Sequence, residues 1–357
     1  MGSSENSPVQ RLLHVPPHVV YRDTLPAVRI AISVGIPLVI LLALGEPKLT
    51  IFTAFGAFSS MYGRMQPLRG RMIQQGASGA LMTLCVGVGL ALSAGHVAGA
   101  ALVLCTSVVS ALCAYVAMLL NLKPSGPLFY IFASAAIASV PYSGHALRDV
   151  ALTAGSAALS LVLGVILGEL FREGRAHHPA PRTPLDRRTM LTQTLTNFLT
   201  VAAAGLAGNL MGLSHAYWAM VAAAAVLAGP TTSDRVIRGV HRVVGTLLGV
   251  LVTAFFVSMN PDAWHVAVLV VVAQLVTEIF VMRNYGIAAI FITPLALLML
   301  HLAAPFSSYE LLTLRMIETA VGVAVGLLGA VVSPGPEHLG KDTVAIPVVR
   351  AARHWRQ

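Results

Sequence analysis

Apolar residues run through this chain in long blocks, each closed by a short polar or glycine- and proline-rich break. A helix crossing hydrocarbon needs about 20 mostly apolar residues, and as few as about 17 suffice. Measured with that ruler, six blocks come first, at 28–45, 49–63, 73–93, 97–120, 126–142 and 149–170. A polar stretch follows, "FREGRAHHPAPRTPLDRRT", and then six more blocks at 191–212, 216–230, 240–259, 263–282, 285–303 and 313–333. The pattern predicts an all-α integral membrane protein of about twelve transmembrane helices. Its expected divisions are an N-terminal arm at 1–27, a six-helix unit at 28–171, a linker at 172–190, a second six-helix unit at 191–333 and a tail at 334–357. The second and eighth blocks are short for a span and predict broken or tilted helices.

Composition agrees with the blocks. Only 10% of residues are charged and 56% are hydrophobic, against about 25% charged in a soluble domain. So little charge could not cover a water-facing surface, and the expected surroundings are a lipid bilayer. The charge that remains is lopsided, 23 Lys and Arg against 14 Asp and Glu. In a soluble protein that balance would suggest nucleic acid; here basic loops on one membrane face account for it, and no nucleic-acid partner is expected.

The basic residues also orient the blocks. With the N-terminus in the cytoplasm, all but Lys48, Arg148 and Arg315 of the 23 fall on the inner side. Shifting the blocks by one helix would destroy that asymmetry, so both termini are expected in the cytoplasm. No apolar core precedes a cleavage site near the start, which predicts that the first helix itself anchors the chain. Cys85, Cys105 and Cys113 lie inside apolar blocks without paired spacing and read as packing thiols.

The two series resemble each other. At a constant offset of 169, "KLTIFTAFGAFSSMYGRMQPLRG" lies over "YWAMVAAAAVLAGPTTSDRVIRG", which puts Arg69 on Arg238, Gly70 on Gly239 and Gly76 on Gly245. Further on, "LKPSG" matches "MRNYG", and Arg148 and Gly155 match Arg315 and Gly322. The reading is a tandem duplication of a six-helix unit. Because six is even, both copies enter the membrane in the same sense, with a pseudo-twofold axis along the membrane normal and a path between the halves.

Candidate chemistry concentrates in "RGVHRVVGTLLG", residues 238–249. On a helix, Arg238, Arg242, Gly245 and Gly249 fall within about 60° of one another, with Arg235 at the edge of that face. Glycines mark the protein-packed side of a membrane helix, so these arginines are expected to face protein rather than lipid. A guanidinium column leading to a glycine corridor would attract carboxylates and hold them bidentately. The competing reading is an orientation and headgroup anchor. His241 lies off the face and reads as a bystander.

Acidic residues in or near the spans are Asp149, Glu169, Glu278 and Glu318. An intramembrane carboxylate marks a functional site by default. Glu318 follows Arg315 by one turn and is expected to pair with it. Glu278 is expected to pair with Arg242 or Arg238, as a fixed salt bridge or as a proton switch for coupled transport. Tyr217 and Trp218 fit an interfacial belt or substrate stacking. Thr246 and Thr293 could donate hydroxyls to a carboxylate or bond their own helix. Asn197 and Gln274 read as interhelical hydrogen-bonding groups. No HExxH or other metal spacing occurs, so no metal and no cofactor are expected.

At this point the residues carry a resemblance. Tyr217, Trp218, Arg238, Arg242, Gly245, Thr246 and Gly249 follow an aromatic-Trp helix and an R-x3-R-x2-G-T-x2-G pattern. It is similar to the signature of the fusaric acid resistance-like (FUSC) group of the aromatic acid exporter family. "NYGIAAIFITPLALLML" and "RMIETAVGVAVGLLGAVV" resemble that family's closing helices, and the resemblance extends over about 28–333. It implies a multi-pass transporter of the bacterial cytoplasmic membrane that exports aromatic carboxylates. A related plant group forms organic-anion channels from six-helix subunits, and a fused twelve-helix chain would resemble their dimer. Two features depart from the pattern. The linker and tail are too short for the cytoplasmic domain of larger members. The first half also has Ile73 and Ala77 where the second has Arg242 and Thr246, so any site is expected to be weighted toward the second half.

The expected function is therefore secondary active efflux of small organic anions, with protons as a candidate coupling ion. A passive anion channel on the same scaffold is the alternative, and a membrane scaffold or enzyme is a distant one. No Walker A pattern is present, so an ion or substrate gradient would have to drive transport. No paired carboxylates or Ser/His/Asp set points to catalysis, and homo-oligomerisation stays open.

Overall fold

The computed structural model describes residues 20–124, 126–171, 186–303 and 309–332. Most of the expected arm, linker and tail thus lies outside the described residues. Twelve α-helices follow in order: α1 Val20–Ala43, α2 Thr50–Ala57, α3 Leu68–Ala94, α4 Gly99–Leu119, α5 Leu128–Ala138, α6 Ala146–Leu170, α7 Arg187–Leu210, α8 Tyr217–Leu227, α9 Thr232–Ser258, α10 Ala263–Phe280, α11 Tyr285–Ala303 and α12 Tyr309–Val332. No strand occurs among the described residues. Each apolar block falls on one helix, although α1 begins at Val20, inside the stretch expected to be an arm.

Eight of these helices, not twelve, are long and apolar enough to cross a membrane: α1, α3, α4, α6, α9, α10, α11 and α12. The N-terminal half of α7 is polar, with Arg187, Arg188, Gln193 and Asn197. Helices α2, α5 and α8 have only 8, 11 and 11 residues. At 1.5 Å per residue, α8 is roughly 16 Å long, about half the hydrocarbon thickness. A helix that ends inside a membrane must be surrounded by protein, because its terminal peptide groups find no partners in lipid. All eight residues of α2 and all eleven of α8 are indeed buried. Helix α2 passes into a 3₁₀ turn at Phe58–Met61 and then bends at Gly63, whose φ is +65°. A Cβ there would sit 2.9 Å from Arg71 Cα, so the bend requires glycine.

Packing within the first six helices joins α1 to α2 and α6, α2 to α3 and α6, α3 to α5 and α6, and α4 to α5. The same contacts recur six helices later: α7 to α8 and α12, α8 to α9 and α12, α9 to α11 and α12, and α10 to α11. Between the halves, α1 packs on α10 and α4 on α7, while α5 meets α8 and α2 meets α11. The short helices thus stand at the centre, and the long ones close around them.

The surface is apolar where a bilayer would touch it. Helix α9 turns Val236, Val240, Val243, Leu247 and Leu251 outward. Its opposite face buries Arg235, Gly239, Arg242, Gly245, Thr246 and Gly249. This inversion of the water-soluble pattern follows from lipid being as apolar as leucine, so that polar groups and glycine are kept for contacts with protein. Cys85 and Cys113 meet at 3.5 Å between sulfurs, buried and unbridged.

Candidate functional site

A cavity of about 520 Å³ lies at the junction of the halves. Its walls come from α2 with its following turn and α5 on one side, and from α8, α9, α10, α11 and α12 on the other. The middle is aromatic. Phe55 meets Phe132 at 5.2 Å between ring centres, Phe132 meets Trp218 at 4.9 Å, and Trp218 meets Tyr217 at 4.9 Å. All four rings line the space. Tyr217 and Trp218 are buried, at 6% and 2% exposure, so they form no interfacial belt. Trp218 is drawn inward because α8 is too short to reach a membrane surface.

The charged lining is cationic. Arg64, Lys123, Arg238, Arg242 and Arg315 face the cavity against one carboxylate, Glu278. Arg238 lays its guanidinium over the Tyr285 ring, 4.6 Å from the ring centre. Arg242 donates through Nη1 to the Tyr285 hydroxyl at 3.3 Å. A single tyrosine at the start of α11 therefore positions Arg238 and Arg242 of α9. Arg315, on α12, stacks on Trp218 with Cζ 3.8 Å from the ring centre. Stacked guanidinium groups of this kind keep their N–H edges available to an anion.

Glu278 pairs with neither Arg238 nor Arg242. Its Oε2 lies 3.0 Å from Arg64 Nη1, which also donates to the Glu278 carbonyl at 2.7 Å. Its Oε1 accepts from Gln274 Nε2 at 3.0 Å. The expected Arg242 or Arg238 pairing is thereby replaced by a bridge between the halves, because α10 faces α1 and the turn after α2. Arg29, buried on α1, donates to the Ser60 carbonyl in that same turn. Glu318 likewise does not pair with Arg315. Its Oε1 accepts the backbone N–H of His215 at 3.1 Å, while Arg315 Nη1 donates to Thr319 Oγ1 at 3.0 Å. His215 lies in the loop before α8, where burial holds its imidazole below the ordinary value.

Other expected site residues lie away from the cavity. Gly245 and Gly249 do not line a corridor but let α9 press on α11. A Cβ at Gly245 would fall 2.4 Å from Ala289 Cβ, and one at Gly249 would fall 2.6 Å from Thr293 Cβ. Thr293 returns its hydroxyl to the Ala289 carbonyl, while Thr246 is buried beside Gly245. Arg235 is buried and donates through Nε to the Gly229 carbonyl at 3.0 Å, fastening the turn between α8 and α9. Arg69 is exposed at the start of α3. Tyr285, Phe132 and Arg64 are among the lining residues that carried no functional reading in the sequence. Tyr285 stood inside the quoted "MRNYG", and its place opposite the arginines was the available clue.

A bundle with apolar outer faces, buried half-length helices and an inner cationic cavity defines a multi-pass membrane protein. Residues 202–329 match the family model described as fusaric acid resistance protein-like, so over that stretch the chain is similar to that family. The chain is 29% identical over 143 residues to the uncharacterized membrane protein YvaC of Bacillus subtilis (strain 168). That alignment covers 39% of this chain and 22% of the relative. No solved structure matches significantly.

Proposed function

We propose that this chain exports small aromatic carboxylate anions across a bacterial cytoplasmic membrane, along a path between two parallel six-helix repeats. The observation that carries the reading is the cavity itself: aromatic walls from both halves, with Arg238, Arg242 and Arg315 in the lining. Its volume is in the range that encloses a small ligand. An aromatic ring fits the apolar walls, and a carboxylate supplies the charge that the lining lacks. The matched packing of α1–α6 and α7–α12 supports the duplication, and the distribution of basic residues supports cytoplasmic termini. In this reading a gradient drives export, and the chain has no catalytic role.

The test is transport in proteoliposomes holding the purified full chain. With benzoate trapped inside, an exporter gives saturable counterflow of external radiolabelled benzoate and responds to an imposed pH gradient. Conductance proportional to voltage, with no counterflow, would instead establish the channel reading. No benzoate movement in either assay would remove aromatic carboxylates as substrates.

A further inference from the structure

Arg315 presents a binding edge that nothing in the protein occupies. The residue is 1% exposed and lines the cavity. Its Nη1 is engaged by Thr319, whereas Nε and Nη2 have no hydrogen-bond partner. Those two nitrogens share the outer edge of the guanidinium and offer two parallel N–H groups, at the spacing of the two oxygens of a carboxylate. A buried guanidinium edge without an acceptor is costly, so the arrangement calls for a ligand.

Glu318, one turn further along α12, does not supply it. His215 holds one of its oxygens, and no hydrogen bond joins the other to Arg315. Among the residues that line this end of the cavity, Nε of Arg242 and Nε1 of Trp218 are further donors without a partner, whereas Glu318, whose Oε2 is also unpartnered, is not part of the lining. Arg242, Arg315 and Trp218 all line this one cavity. Two cations and an indole N–H facing one space select an anion over a cation or a neutral polar solute, because Glu278, the carboxylate in the lining, is already bridged to Arg64. The ring of Trp218 beneath Arg315, with Phe132 beyond it, selects an anion carried on a flat apolar body.

We propose that Arg315 is the docking group for the carboxylate of the transported anion. Its Nε–Nη2 edge takes both oxygens, Arg242 supplies the second positive charge, and Trp218 and Phe132 hold the ring. The assignment rests on the aromatic-carboxylate reading above but concerns where the anion binds, which is measurable without transport.

The probe is benzoate, read by the fluorescence of Trp218 in purified full-length protein carrying Trp264→Phe and Trp355→Phe. Benzoate is expected to change Trp218 emission saturably, and benzamide, the uncharged analogue of the same shape, to do so at least tenfold more weakly. Arg315→Lys keeps the charge but loses the two-pronged edge, and is expected to weaken benzoate binding about tenfold. Arg315→Gln is expected to weaken it a hundredfold or more, with Glu318→Gln near the parent. Equal affinity of the parent for benzoate and benzamide would overturn the assignment even if the Arg315 variants failed to fold. So would unchanged benzoate affinity in a folded Arg315→Gln protein. Tight benzoate binding that depends on Arg315, without counterflow in proteoliposomes, would leave this site standing and remove the exporter reading instead.

Discussion

Arg64 Nη1 and Glu278 Oε2 stand 3.0 Å apart although 214 positions separate them in the chain. The bridge ties the turn after α2 to α10, with both side chains under a tenth exposed. A buried ion pair is weak evidence for stability in itself, since its attraction offsets a large desolvation cost. Its contribution here is to fix how the two halves meet at the cavity wall.

Removing one partner should therefore be far more harmful than removing both. Glu278→Leu is expected to destabilise the protein by about 3–5 kcal/mol, the usual loss for breaking a buried pair. The double variant Arg64→Met/Glu278→Leu should regain most of it. Denaturation midpoints in detergent would check this. A single-variant loss below about 1 kcal/mol would show that the bridge does not secure the halves.

Arg242 and Arg238 differ in burial, and their variants should differ in degree. A hydrogen bond to a charged group contributes about 1.5–3 kcal/mol, which is roughly ten- to hundredfold in affinity. Arg242→Gln should lower benzoate counterflow at the upper end of that range, and half-buried Arg238→Gln at the lower end. Arg69→Gln should leave it within about twofold, because Arg69 is exposed away from the cavity.

The close approach of α9 and α11 has no room for methyl groups. Gly245→Ala and Gly249→Ala should each cost about 1–3 kcal/mol, the range for overpacking a filled contact. Gly155→Ala is the control, since a Cβ there meets nothing within 4 Å. Equal thermal stability of all three variants would mean that α9 and α11 are held apart in solution.

The start of α9 is capped from within its own turn. Thr231 Oγ1 accepts the Asp234 N–H at 3.1 Å and donates to Asp234 Oδ2 at 2.7 Å. Thr231→Ala should cost about 1 kcal/mol and Thr231→Ser only a few tenths, seen as faster amide exchange in the first turn of α9.

Asp262 caps α10 outside the membrane spans. The backbone N–H of His265, and then its ring, hold the Asp262 carboxyl below its ordinary range. A lowered carboxylate value means that the cap is fully formed above the ordinary range and is lost as pH falls through the lowered one. Amide exchange at His265 should accelerate only under acidic conditions. Acceleration already near neutral pH would show that the cap is not formed by the carboxylate.

Helix order was legible in the hydropathy blocks, because each block carries one α-helix. The shortness of α2 and α8 was legible too, in the short second and eighth blocks, but the truncation of α5 was not. "YIFASAAIASV" reads as membrane-spanning, and only the surrounding protein reveals that Leu128–Ala138 stops short. The face of α9 was legible, since Arg242, Gly245 and Gly249 share one side of a single helix. The meaning of its glycines was not, because a corridor and a helix contact require the same small residue. Arg64 and Arg315 were read by their nearest membrane surface, and both turned inward through contacts from distant segments: Glu278 for one and Trp218 for the other. Side chains that meet from such distant parts of the chain leave no local spacing to find.

The bridge between Arg64 and Glu278 also appears once in a packing scheme whose helix contacts come in pairs. An assembly of two identical six-helix subunits must place every lining residue twice, so each substitution acts at two points of the cavity. A single continuous chain is free of that obligation. Here α10 carries a carboxylate at the wall and α4 has no acidic residue, so one rim of the cavity can be altered by a single codon while the opposite rim keeps its shape and charge.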